Sequence, residues 1–494
     1  MANYTELVSG VRKTFLSGKT KTLAWRRKQL DGILKILTEK KDDIVEALKK
    51  DLHKPKMETL VFEVSLATNE VINTMNNLEE WMKPEKVKKG LLNMMDTCYI
   101  RREPLGTVLI LGAWNYPLQL TLLPLLGALA AGNCAILKPS EVAENTALLL
   151  EKLIPQYLDT ECVKVVNGGV PETTALLKER FDHIFYTGNS MVAKIVMKAA
   201  AENLTPVTLE LGGKSPVYID RGCDLSVVGR RLMWGKVCNA GQTCVAPDYV
   251  LCPQDVQEPL IEKLKSALDE FYKGDPAESD DYGRIINKRH FERVKNLLGS
   301  GTVAFGGDLK PEELYISPTV IKDVKLDDPV MTNEIFGPLL PIVTVKNEDE
   351  AIDIINSREK PLALYVFSTN KNVVDKIVEQ TSSGGFCVND VMVHGGLETL
   401  PFGGVGHSGM GSYHGHHTFD TFSHKRACLL KDLKMDNVNQ IRYPPYTEKK
   451  LSWITWIMQK KPKRSGILSF VPFLLLGTIF AVVFKVPHGV MRSP

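Results

Sequence analysis

Two cysteines, Cys238 and Cys244, stand in "VCNAGQTCVAP" (237–247), a stretch with few charges. A thiol attacks as its thiolate, so either residue is chemically silent unless a neighbour lowers its pKa or takes its proton. A carboxylate stands in "LELGGKSP" (209–216), where Glu210 lies between Leu209 and Leu211. A carboxylate in such surroundings is costly unless it is paired or used. The two glycines that follow it let the backbone turn closely. "YHGHHTF" (413–419) places His414, His416 and His417 together, but no cysteine or carboxylate stands at a ligand spacing, so a metal is not expected. "GGVGHSG" (403–409) lacks the Gly-Lys-Ser/Thr of a phosphate loop and reads as a packing turn.

The elements that must hold these residues follow from periodicity. The first hundred residues read as helices, with Leu30, Ile33, Leu34 and Leu37 on one stripe at i, i+3, i+4, i+7. From residue 104 short apolar runs alternate with amphipathic stretches. The runs are "TVLIL" (107–111), "CAILK" (134–138), "CVKVV" (162–166), "HIFYT" (183–187) and "VTLEL" (207–211). Five strands in βα order predict a doubly wound domain whose ligands bind beyond the carboxyl ends of the strands. A second α/β series follows in "SPVYI", "DYVLC", "LLPIVTV", "LALYVFS" and "GGFCVND". Residues 395 to 445, rich in Gly, His, Phe and Pro, read as a connecting or interface element.

Composition narrows the function classes. A chain of 494 residues predicts two or three domains. The formal charge of +3 and the lack of a basic stripe with interleaved aromatics argue against a nucleic-acid partner. Nine cysteines without regular spacing suit free thiols in a reducing compartment. The first residues lack the apolar core of a signal peptide. Near the other end, "ILSFVPFLLLGTIFAVVF" (467–484) is eighteen residues without a charge. As a helix it spans about 27 Å, near the apolar thickness of a thin bilayer. Six Lys or Arg (449, 450, 460, 461, 463, 464) precede it and two (485, 492) follow, which predicts a transmembrane anchor with the folded body in the cytosol.

Several short stretches fall at strand ends, "GAWNYP" (112–117), "KPSE" (138–141) and "YTGNS" (186–190), while "NEIFGP" (333–338) and "PFGGVGHSGMG" (401–411) lie further on. In this order, with "LELGGKSP" and "GQTC", they resemble the aldehyde dehydrogenase superfamily from about residue 7 to 445. The short N-terminal region and the apolar tail resemble its class 3 branch, in particular the membrane-anchored members that oxidise fatty aldehydes.

The resemblance implies an α/β fold: an NAD-binding domain (1–80 and 107–209), a catalytic domain (210–388) and a bridging, dimer-forming element (81–106 and 389–444). A basic linker (445–466) and the anchor (467–484) complete it. The implied reaction is NAD-dependent oxidation of medium- and long-chain aldehydes to fatty acids. Its alternatives are broader aliphatic and aromatic aldehydes, thioester hydrolysis, or a non-catalytic structural protein on the same fold. Cys244 is the implied nucleophile, Glu210 the base that activates water, and the Asn115 amide with the Cys244 N–H the alkoxide donors. No GxGxxG follows a strand. The resemblance instead places the pyrophosphate at the helix start formed by Gly188, Asn189, Ser190, Met191, Val192 and Ala193, with Ala193 where the family often has glycine. Glu141 is expected on the adenosine ribose and Lys138 beside it, favouring NAD and tolerating NADP. Glu334 and Phe336 are expected at the nicotinamide ribose and ring. A homodimer in the endoplasmic reticulum membrane is expected, with the peroxisomal membrane as the alternative.

Overall fold

The computed structural model describes residues 3–90, 93–434 and 436–459. The anchor expected at 467–484 lies outside the described residues, and among those described no helix is long and apolar enough to cross a membrane. Two compact units divide the chain. The larger comprises the residues through Pro84 with Arg101–Arg426, and the smaller Glu85–Ile100 with the described residues from Ala427 onward. In the sequence-based division the bridging element covers 81–106 and 389–444. Of that element, residues 81–84, 101–106 and 389–426 lie in the larger unit.

Within the larger unit a six-stranded sheet runs in the order Gly409–Met410, Val207–Glu210, His183–Thr187, Thr107–Leu111, Cys134–Lys138, Val163–Val165. Thr107–Leu111, Cys134–Lys138 and His183–Thr187 are buried at every residue, because helices cover both faces of the sheet. The helix Gln119–Ala131 has twelve buried residues among its thirteen, the mark of an element enclosed on all sides. Leu30, Ile33 and Leu37 are fully buried on the helix Leu23–Glu39, as their spacing predicts, and Leu34 packs at the rim of the same core. The sheet order reverses between Thr107–Leu111 and His183–Thr187, so the crevice lies beyond Leu111 and Thr187.

A second sheet of seven strands holds Pro216–Ile219, Tyr249–Pro253, Leu339–Val345, Ala363–Phe367 and Gly385–Val388. Its other two strands, Thr302–Phe305 and Thr319–Lys322, are not anticipated by periodicity, since Thr302 and Val303 face solvent at the sheet edge. Gly409–Met410 was likewise hidden inside the glycine-rich 401–411 stretch. It pairs antiparallel with the end of the first sheet, Gly409 opposite Glu210 and Met410 opposite Leu209, and Leu211 N–H donates to Ser408 O at 3.1 Å.

This added strand depends on glycines. A Cβ on Gly404 would stand 2.0 Å from Ser408 O, and one on Gly409 2.3 Å from Leu209 O. Gly404→Ala is therefore expected to destabilise the chain by about 1–3 kcal/mol, the cost of overpacking against backbone. Gly299→Ala, which meets nothing within 4 Å, serves as the neutral control. Thermal unfolding midpoints decide between them, and equal midpoints for the two variants would show that the turn has slack.

Candidate active site

Cys244 ends a tightly held loop. The helix Leu225–Val237 stops at Cys238, and the chain then passes through Asn239 and Ala240 with φ of 51° at both residues. Left-handed backbone suits asparagine but costs alanine about 1–2 kcal/mol. The surroundings hold it there. Glu58 accepts from Asn239 N–H at 2.8 Å, and the Asn239 amide donates to Gln242 O at 3.0 Å. The Gln242 amide donates to Asn239 O at 3.0 Å and Arg284 O at 2.9 Å, and its oxygen accepts from Ile286 N–H at 3.0 Å. Six residues before Cys244, Cys238 is packed in the core with its pKa raised far up by burial.

Glu210 stands at the end of its strand, 3% exposed, and neither carboxylate oxygen has a hydrogen-bond partner among the described residues. Burial raises its pKa well above the carboxylate range. The half-buried Cys244 thiol is pushed up to about 12, chiefly by burial and then by Glu334 and Glu210, against the N–H groups of Cys244 and Val245 at the sulfur. Glu334 is raised to about 8 by burial, with Asp248 adding to the rise and the Gly213 N–H opposing it. Its carboxylate lies where a Cβ on Gly212 would stand, 2.2 Å from Oε2, so the double glycine after Glu210 makes room for the second glutamate. Glu210 and Glu334 thus both lie within electrostatic reach of Cys244.

Asn115 follows the first sheet strand and is 4% exposed. Its amide donates to Gln242 O at 3.1 Å, and its own carbonyl accepts from the Asn239 amide at 2.9 Å. Next to it the Tyr116 hydroxyl pairs with Thr243 Oγ1 at 2.8 Å. The loop after the first strand is in this way fastened directly to the loop that ends at Cys244. Sequence reasoning passed over these fasteners, Tyr116, Asn239, Gln242 and Thr243, although all lie inside the quoted motifs.

Of the expected cofactor residues, Gly188 to Ala193 follow the strand His183–Thr187, at which the sheet order reverses. Gly188, with φ of 159°, donates its N–H to Glu210 O at 3.0 Å. Asn189 caps the helix Ser190–Ala201, its side chain accepting from Val192 N–H at 2.9 Å. Ser190 and Met191 begin that helix, so their N–H groups stand at its positive end, a place for a diphosphate. Ala193 is 2% exposed and belongs to the core, so its extra methyl points away from that surface. Lys138 and Glu141 bind one another at 2.6 Å after the second strand. Phe336 holds a left-handed φ of 47° and meets the Trp114 ring edge-on at 5.2 Å. Arg293 fixes this turn by donating to Ile335 O at 2.7 Å and Phe336 O at 3.2 Å. A capped helix start, a carboxylate paired with lysine after the neighbouring strand and an aromatic turn are the kinds of group that could hold a dinucleotide.

His414 stacks on Phe402 and is buried, with its pKa lowered to about 4 by desolvation. Among the described residues no group of His, Cys, Asp or Glu is arranged to hold a metal ion.

Comparison with known proteins agrees with this geometry. The aldehyde dehydrogenase family model matches residues 2–428. The chain is 52% identical over 481 residues to aldehyde dehydrogenase family 3 member A2 of Pongo abelii, covering 97% of this chain and 99% of that one. It is 53% identical over 445 residues to the dimeric NADP-preferring aldehyde dehydrogenase of Mus musculus, covering 90% and 98%. The solved substrate-bound aldehyde dehydrogenase of Staphylococcus aureus superposes with a TM-score of 0.90 at 41% identity, over 93% of this chain and all of that one.

The electrostatics of the pocket make a reactivity prediction in the cofactor-free enzyme. Glu334 carries its charge only above its pKa near 8, and that charge raises Cys244. Glu334→Gln should therefore lower the thiol pKa and speed alkylation of Cys244 by iodoacetamide at about pH 9.5, with little change near pH 7, where Glu334 is mostly protonated. Mass spectrometry of the Cys244 peptide reads the rate, and an equal acceleration at both pH values would contradict this electrostatic picture. With its motifs, sheet order and pocket now described, the chain belongs to the aldehyde dehydrogenase family, class 3 branch, oxidoreductases that use NAD(P).

Proposed function

We propose that the pocket oxidises aldehydes through a covalent cysteine intermediate, with Cys244 as nucleophile, Glu210 as base and Asn115 as alkoxide donor. The observation that supports it most is the unpartnered, buried Glu210 carboxylate within electrostatic reach of the Cys244 thiol. Sulfur bonds to the carbonyl carbon while the thiol proton passes to Glu210. The oxygen of the adduct becomes an alkoxide held by the N–H of Cys244 and the Asn115 amide, which has a second hydrogen besides the one engaged by Gln242 O. When bound, NAD(P) supplies the acceptor for the hydride. Glu210 gives up its proton and then takes one from a water that attacks the thioester, releasing the acid and restoring the thiol. Glu334 and Phe336 orient the nicotinamide end, and Glu141 with Lys138 the adenosine end, favouring NAD and tolerating NADP.

We further propose that the substrates are medium- and long-chain aliphatic aldehydes met at a membrane surface. The apolar segment 467–484 supports this, because a long alkyl chain partitions into bilayers at roughly 0.8 kcal/mol per methylene. Ahead of it the helix Glu448–Met458 exposes Leu451, Trp453, Trp456 and Met458, residue types that favour a membrane interface. The likeness to family 3 member A2 covers 97% of this chain, against 90% for the dimeric relative, so it extends further along this chain. The protein would work as a homodimer on the endoplasmic reticulum or peroxisomal membrane, catalytic body in the cytosol. Its smaller unit leaves Met94, Met95, Leu429 and Leu430 exposed, a surface that supports self-association.

Two experiments test the reading. Glu210→Gln should preserve a pre-steady-state burst of NADH while steady turnover falls by about 100-fold or more, because deacylation loses its base. Loss of the burst as well would move the role of Glu210 to activation of Cys244, and undiminished turnover would remove it from catalysis. Removal of the residues after Gln459 should leave kcat on a short, water-soluble aldehyde unchanged and abolish carbonate-resistant membrane association. Membrane association that survives the truncation would sink the anchor, and flat activity across aldehyde chain lengths would sink the substrate proposal.

A further inference from the structure

Behind the Asn115 loop lies an ion pair that none of the motifs include. Lys54 and Glu63 have fully buried side chains and meet at 2.5 Å. Lys54 Nζ also donates to Asn115 O at 2.9 Å and lies 4.0 Å above the centre of the Tyr116 ring. Glu63 turns its other oxygen to the N–H groups of Leu118 and Gln119, at 3.1 and 3.0 Å. The pair therefore grips the backbone and ring of residues 115–119 from behind. From the front the same residues are held by the nucleophile loop: Asn239 on Asn115 O, Gln242 O on the Asn115 amide, Thr243 on Tyr116.

We infer that Lys54, held by Glu63, is a positioning residue for the alkoxide-binding amide of Asn115. Stability alone is a poor reason for the pair, since burying two charges costs several kcal/mol per ion and an apolar replacement of both is often neutral. A charged ammonium on the Asn115 carbonyl has another effect. It makes a charge-assisted bond, stronger and shorter than a neutral one, and so fixes the peptide plane from which the Asn115 side chain projects. Without it the carbonyl keeps one neutral bond from Asn239, and the amide can swing away from the position a developing alkoxide occupies. An error of about 1 Å in such a donor is enough to slow a chemical step by about 100-fold. The inference rests on the proposed role of Asn115, and the experiment separates the two.

The variant Lys54→Met/Glu63→Gln removes both charges together, while the glutamine oxygen still accepts from Leu118 and Gln119. It is made in the full chain with native Asn115 and again with Asn115→Ala, and compared with Asn115→Ala alone. The acylation rate is read from the single-turnover NADH burst, with NAD affinity and thermal midpoint measured in parallel. The expected result is an acylation rate reduced by about 10- to 100-fold with native Asn115, NAD affinity unchanged, and no further reduction once Asn115 is already alanine. An undiminished rate, or an equal loss in both backgrounds, overturns the positioning role. A double variant that does not fold assigns the pair to stability and overturns it too. If Asn115→Ala alone acylates normally, the alkoxide-donor role of Asn115 fails instead, independently of Lys54.

Discussion

A buried carboxylate without a partner is the constraint on which the rest of this structure depends. Every other buried acid around the pocket is satisfied. Glu63 is paired with Lys54, Asp248 binds Lys214 and accepts from Ile335 N–H, Glu58 accepts from Asn239, and Glu334 from Gly213. Glu210 alone among these has both oxygens unengaged by protein. Burying such a group without a partner from the protein costs free energy, so the strand beneath it must be held from several sides. His183–Thr187 lies parallel on one side, Gly409–Met410 antiparallel on the other, and Gly188 bonds its carbonyl.

The nucleophile loop shows the same logic in its backbone. Asn239 and Ala240 are both left-handed, and Phe336 across the pocket is too. Each conformation is sparsely populated for a residue with a Cβ and survives only where neighbours determine it. Here the neighbours include polar side chains, Glu58 and Gln242 around one turn and Arg293 and Asp248 around the other. Lys214 strengthens the second grip, donating to Val330 O at 2.8 Å and Asn333 O at 3.1 Å while paired with Asp248. Both faces of the pocket are thus rigid before any ligand arrives.

The parts of this design that were legible in the sequence are those written locally. Runs such as "TVLIL" and "CAILK" declare buried parallel strands, and Glu210 between two leucines declares an expensive acid. What stayed hidden depends on partners far apart in the chain. Thr302–Phe305 lacks an apolar run because it is an edge, exposed on its outer side. Gly409–Met410 is two residues long and is a strand only because Glu210 and Leu209 lie beside it. Lys54 and Glu63 look like ordinary solvated charges on a helical stretch. They become a buried clamp only when the loop after Thr107–Leu111, more than fifty residues later, arrives over them. A helix start after the strand is legible in "YTGNSMVAK", yet the Asn189 cap and the inward turn of the Ala193 methyl required the packed helix to be seen.

The raised pKa values in the pocket look at first like an obstacle to catalysis, since a thiol near 12 is almost wholly protonated at neutral pH. The obstacle is smaller than it looks. Passing the proton from Cys244 to an ionised Glu210 moves a negative charge across the pocket and creates none. Desolvation, which raises both groups, therefore cancels to first order in the difference between them. What decides the transfer is where the charge is better held afterwards. The N–H groups of Cys244 and Val245 stand at the sulfur, whereas Glu210 has no donor from the protein at all. The fold stabilises one end of the exchange and leaves the other bare, and that asymmetry favours the thiolate. Glu334 opposes the thiolate only once it ionises, above its pKa near 8.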